Sequence, residues 1–168
     1  TNGIESERAR DGETPKSKKY GETVMKSIKY LCTQTKFESS HGGSYCQAAK
    51  IYALAEAYTM TGNYEIIDPL TIMIEDMLDC QDGAVSGETG STEAGGFDYF
   101  HKGQKAGGKY DNSLGALAFQ AIKAAKATGL EFGKYGHLDY SKKKGVNHLI
   151  NASKEGYPYA QGKGGSRT

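Results

Sequence analysis

Long hydrophobic runs are missing from this chain. No stretch approaches the roughly 18 consecutive apolar residues of a bilayer-spanning helix, and no charged-then-apolar opening reads as a signal peptide. The chain as it stands is expected to be soluble. Charge of one sign is missing as well: 21 Lys and Arg stand against 20 Asp and Glu, with 4 His. Such a balance supplies no bulk field to recruit nucleic acid or an acidic membrane, so partners must be recognised by shape. Cysteine is scarce and unpaired in sequence. Cys32, Cys46 and Cys80 form no CxxC motif. They read as small buried hydrophobes, with a Cys32 to Cys46 bridge as the sharper alternative. Proline is rare, at 3 residues, whereas glycine reaches 23. That contrast suggests glycine-rich connections between ordinary helices. A length of 168 residues suits one domain with its own core.

What is present is helical periodicity. Residues 1–19 are rich in Glu, Arg, Lys, Gly and Ser and bury too little to fold alone, so they read as a flexible arm, leaving 20–168 as the folded domain. From Glu22, the residues Val24, Met25, Ile28, Leu31 and Cys32 fall on one side of a helix, opposite Lys26, Lys29 and Thr33. The segment Tyr45 to Met60 differs, because its apolar residues cover nearly every side, the pattern of a helix buried all round. Thr61-Gly62-Asn63 ends it. Asp68-Pro69 then predicts a capped third helix, one-sided again through Leu70, Met73, Ile74, Met77 and Leu78. Asp82 to Asp111 reads as a long loop, with glycines at 83, 87, 90, 95, 96, 103, 107 and 108. Leu114 to Ala127 is a second helix apolar all round, closed by Thr128-Gly129, and Ser141 to Ser153 is a fifth helix with a lysine-rich start. The order is outer, inner, outer, inner, outer. This predicts an all-α fold of α/α-repeat type, a partial toroid or arc of about five helices.

Repeat marks accompany the alternation. Tyr30-Leu31-x-x-Gln34 recurs as Met77-Leu78-x-x-Gln81 and, without the glutamine, at His148-Leu149; glycine and an aromatic follow each, in Gly42-Gly43-Ser44-Tyr45, Gly95-Gly96-Phe97 and Gly156-Tyr157. On these residues the chain resembles the prenyltransferase and squalene-oxidase repeat superfamily, the α/α toroids that include terpenoid cyclases. It is most similar to the uncharacterised bacterial repeat proteins of that group. The resemblance covers about Gly21 to Tyr159. It is most specific at Ile51 to Tyr58, Gly95-Gly96-Phe97 and Asp111 to Gly115, although the tryptophan of the cyclases' repeat is absent. It implies a barrel of more helix pairs than are present, so the inner surface expects cover from further sequence of the same protein or from neighbouring copies, as a homo-oligomer. Often-exported relatives imply an extracytoplasmic location.

The chemistry of that superfamily finds few of its residues here. Cyclases use an Asp-x-Asp-Asp acid, and this chain has only the separated Asp76 and Asp79 on an expected exposed face. The prenyltransferases' zinc site needs a thiolate in Asp-x-Cys, where this chain has Asp111-Asn112-Ser113. Asp111 reads better as a helix N-cap. Thioester domains need a glutamine three residues after the cysteine, and Cys46-Gln47-Ala48-Ala49 ends in alanine. His41, His101, His137 and His148 lack metal-binding spacing. No catalytic residue, metal or cofactor is therefore expected. The candidate binding residues are a rim of loop aromatics: Phe97, Tyr99, Phe100, His101, Tyr110, Tyr157 and Tyr159. The expected function is a non-catalytic helical-repeat scaffold or interaction module that self-assembles. The alternative is a fragment of a cyclase-like or prenyltransferase-like enzyme, or of an apolar-ligand-binding domain.

Overall fold

The computed structural model describes residues 15–36, 41–79, 81, 95–97 and 111–138. Among these the fold is all-α: α1 (Pro15–Thr33), α2 (His41–Thr61), α3 (Ile67–Asp79) and α4 (Asn112–Ala127). Two single-turn 3₁₀ helices, Tyr64–Ile66 and Gly133–Tyr135, follow α2 and α4. The expected fifth helix lies outside the described residues.

α1 begins before Glu22, at Pro15, where a missing N–H costs nothing in a first turn. Residues 15–19, read from sequence as part of the arm, are therefore helical, and 1–14 lie outside the described residues. Ile28 is its buried anchor, with Met25, Leu31 and Cys32 packed beside it, while Tyr20, Val24 and Tyr30 face outward. The chain leaving α1 is tied to α2 by the Lys50 ammonium, which donates to the Gln34 carbonyl at 2.8 Å.

α3 takes its cap from a different residue than the sequence suggested. The Asn63 side chain accepts the Glu65 N–H at 3.0 Å and opens the Tyr64–Ile66 turn that runs straight into α3. Asp68 and Pro69 then fall inside an already started helix.

α2 and α4 end alike. Thr61 Oγ1 donates to Ala57 O at 2.7 Å and accepts the Asn63 N–H at 3.2 Å. Thr128 Oγ1 donates to Ala125 O at 2.6 Å and accepts the Leu130 N–H at 3.2 Å. The glycine after each threonine has positive φ, +62° at Gly62 and +75° at Gly129, a conformation that glycine adopts without strain.

The core lies between α2, α3 and α4. Ile51, Leu54, Leu70, Met73, Ile74, Met77 and Leu114 are fully buried there, and α2 against α4 is the most extensive helix contact. The two helices run in the same direction, since the Tyr45 hydroxyl near the start of α2 meets Ser113 Oγ at the start of α4. α3 touches both. It therefore covers the side on which both are buried.

Neither α2 nor α4 is buried all round, contrary to the expectation from their apolar residues. Ala48, Ile51, Leu54 and Ala55 of α2 are buried, as are Gly115, Ala118, Ala121 and Ile122 at the matching positions of α4. Ala49, Ala53, Glu56 and Met60 are exposed, and so are Ala116, Gln120, Lys123 and Ala127. Alanine suits either environment, so a pattern rich in it marks a helix without marking which sides are covered.

Candidate functional site

The aromatic rim is only partly within view, and what is seen is core. Phe97 is fully buried, edge-on to Phe119 with ring centroids 5.2 Å apart. Its backbone pairs with Gln81 on one side, and its carbonyl accepts the Asp111 N–H at 2.9 Å on the other. Phe97 is therefore corrected from a ligand-gripping aromatic to a structural one. Tyr99, Phe100, His101, Tyr110, Tyr157 and Tyr159 lie outside the described residues.

The glutamine of the repeat mark explains why Phe97 is held so firmly. Gln81 is almost fully buried, and its side-chain amide donates to the Gly95 carbonyl at 3.0 Å. Its own N–H returns to Leu78 O at 3.1 Å, as the Gln34 N–H returns to Leu31 O at 3.0 Å. The turns after α1 and α3 thus match in backbone. Their side chains do not: among the described residues the Gln34 amide donates to neighbouring Thr33 Oγ1, and it is exposed.

Asp111, in the place of the zinc-binding Asp-x-Cys, is a cap. Its buried carboxylate accepts the Leu114 N–H at 2.9 Å and the Ser113 hydroxyl at 2.5 Å. The Tyr45 hydroxyl lies 3.4 Å from the same oxygen. Every one of these bonds lies within the fold, joining the start of α4 to the start of α2.

The remaining polar residues divide between structure and surface. Asp79 is not the free surface acid expected: it is half-buried, takes the Lys134 ammonium at 2.7 Å and accepts the Tyr135 hydroxyl. Glu75 accepts the Lys134 N–H at 3.3 Å. Together they dock the Gly133–Tyr135 turn onto α3. Gln47 is fully buried and donates to Met73 O at 3.3 Å, with its Oε1 unpartnered among the described residues. His137 pairs with Glu131 at 3.0 Å on the surface. Among the described residues no three of His, Cys, Asp and Glu converge in a metal-holding group.

The cysteines also differ from the sequence reading. Cys46 is exposed and Cys32 half-buried, and both are free thiols; Cys80 lies outside the described residues. Burial, aided by the negative charge of Glu65, pushes the Cys32 thiol pKa up.

What sequence reasoning missed is the uncovered face shared by α2 and α4. α3 packs against both, and the residues left exposed, Ala49, Ala53, Glu56 and Met60 on α2 and Ala116, Gln120, Lys123 and Ala127 on α4, occupy matching positions of the two helices. Tyr52, at 41% exposure, and Leu117, at 40%, add large apolar surface to it. Tyr52 is bonded to Glu56, and that hydrogen bond, with the carboxylate's charge, pushes the phenol pKa up. Among the described side chains Glu56 is the only fully exposed charged residue on α2, where Lys50 is half-buried, and Lys123 and Lys126 are those on α4. The signal that could have found this face is the even spread of alanine around both helices.

Compared with known proteins, the chain matches no protein-family model, no curated protein and no solved structure. Among the described residues no helix is long and apolar enough to cross a membrane.

Proposed function

We propose that the chain is a non-catalytic helical-repeat interaction module that assembles with copies of itself. The observation that carries this reading is the exposed apolar face of α2. A helix whose far side packs against α3 and α4 has no need of Ala49, Tyr52, Ala53 and Met60 on its near side unless that side is also covered. A soluble surface helix carries charge there, and α2 carries one carboxylate.

The repeat character is part of the same proposal. Parallel inner helices with matched burial, matched Thr-Gly endings and α3 laid across both fit an arc of α/α pairs. An arc of this kind presents inner-helix surface that a further subunit can cover, and interfaces of lasting assemblies resemble a core cut in half. In this reading the polar clusters at Asp111, Gln81 and Asp79 are structural joints.

The test is the native mass of the purified chain by light scattering, with electron microscopy of the same sample. Defined dimers, larger rings or filaments support the reading. A monodisperse monomer at high concentration that unfolds cooperatively overturns it.

A further inference from the structure

Resting on that reading, we infer that the occupant of the α2/α4 face is a second copy of the same face, related by a two-fold axis parallel to the helices. Charge and register carry this choice. α2 and α4 run in the same direction, and their starts adjoin at Tyr45 and Ser113. Glu56 and Lys123 each lie about three turns beyond those starts, so they stand at the same height on neighbouring helices. A two-fold axis parallel to the helices and midway between them places α2 over α4 of the second copy without changing height.

Glu56 then faces Lys123 of the second copy, and the symmetry makes the pair twice. Ala49 faces Ala116 and Met60 faces Ala127, small against small or small against long, which lets the helix backbones approach closely. An axis across the helices instead sets α2 against α2 and α4 against α4 of the second copy with heights reversed, so that Glu56 meets only α2 and the exposed Lys123 and Lys126 of α4 meet the same lysines of the second copy. The single exposed acid on α2 and the lysines on α4 therefore favour the parallel arrangement. Opposite charges at matched positions fix register and suppress wrong pairings.

The experiment uses E56K and K123E, each at an exposed helical position that suits either residue, with circular dichroism to verify folding. Each variant alone sets like charges against each other at both pairs. Sedimentation of each should show the dissociation constant rise about tenfold or more over the unaltered chain. An equimolar mixture of the two variants should recover association, because the introduced lysine then meets the introduced glutamate and the original pair remains. The double variant E56K/K123E should recover it on its own. If the unaltered chain associates but both variants match it and mixing changes nothing, the face is wrong and the self-assembly reading stands. If the unaltered chain stays monomeric at every concentration, the reading fails and this interface with it.

Discussion

Asp111 shows how one side chain fixes a local structure. Its carboxylate caps α4 and holds the Ser113 hydroxyl, with Tyr45 beside it. Replacing Asp111 by Ala removes that acceptor and should cost about 1–2 kcal/mol in a urea titration. Asp111→Asn keeps an acceptor oxygen and should cost less than half as much. Equal losses for the two would show that the carboxylate's charge, and not the cap, is what matters. Cys32 gives a second prediction at this scale. Its folded-state pKa lies above that of the unfolded thiol, chiefly through burial, so folding favours the neutral thiol. That contribution is complete below the unfolded thiol's pKa and is lost as pH rises through the folded value. Alkylation mapped by mass spectrometry should label exposed Cys46 ahead of Cys32 near neutral pH, with the gap closing as pH rises. Labelling of Cys32 first would contradict its burial. The Asp111 cap was legible in the sequence because the cap signal is local, a short polar side chain before an apolar helix. The burial of Phe97 was not, because it depends on Phe119 and Gln81, both distant in sequence.

Elements were legible to different depths. The existence of α1, α2, α3 and α4 follows from periodicity, with glycine marking the ends of α2 and α4; the limits of α3 and α4 moved by less than one turn, whereas α1 starts earlier and α2 opens at His41 and not at Tyr45, with Gly42 and Gly43 inside its first turn. The residues that face water were much less legible. Apolar periodicity reports which residues are able to be buried, and a helix rich in alanine is able to bury any side. The Gly133–Tyr135 turn was not foreseen, since its docking uses Asp79 and Glu75 of α3. Gly133 has φ +43°, and a Cβ there would run into the Glu75 carboxylate. Gly133→Ala should therefore destabilise the fold by about 1–2 kcal/mol, through backbone strain and displacement of Glu75. Lys134→Ala, which removes an exposed ion pair, should cost about 0–1 kcal/mol. Thermal unfolding of the two variants checks the order, and a larger loss at Lys134 would contradict it.

At the scale of the whole molecule, α2 and α4 each have one side packed against α3 and, among the described residues, another side that is open. α3 closes the first, and the second carries alanine, tyrosine, methionine and leucine with few charges. Covering that side is the physical reason proposed for self-association. Ala53 lies within it, where a small side chain permits close helix approach. Ala53→Arg should leave the helix content unchanged and abolish association, because a long charged side chain would have to be buried without a partner. The measurement that bears most directly on this account is sedimentation equilibrium of the unaltered chain across a wide dilution series. The mass should rise with concentration from one chain to a defined multiple. A mass of one chain throughout, in protein that melts cooperatively, would contradict it.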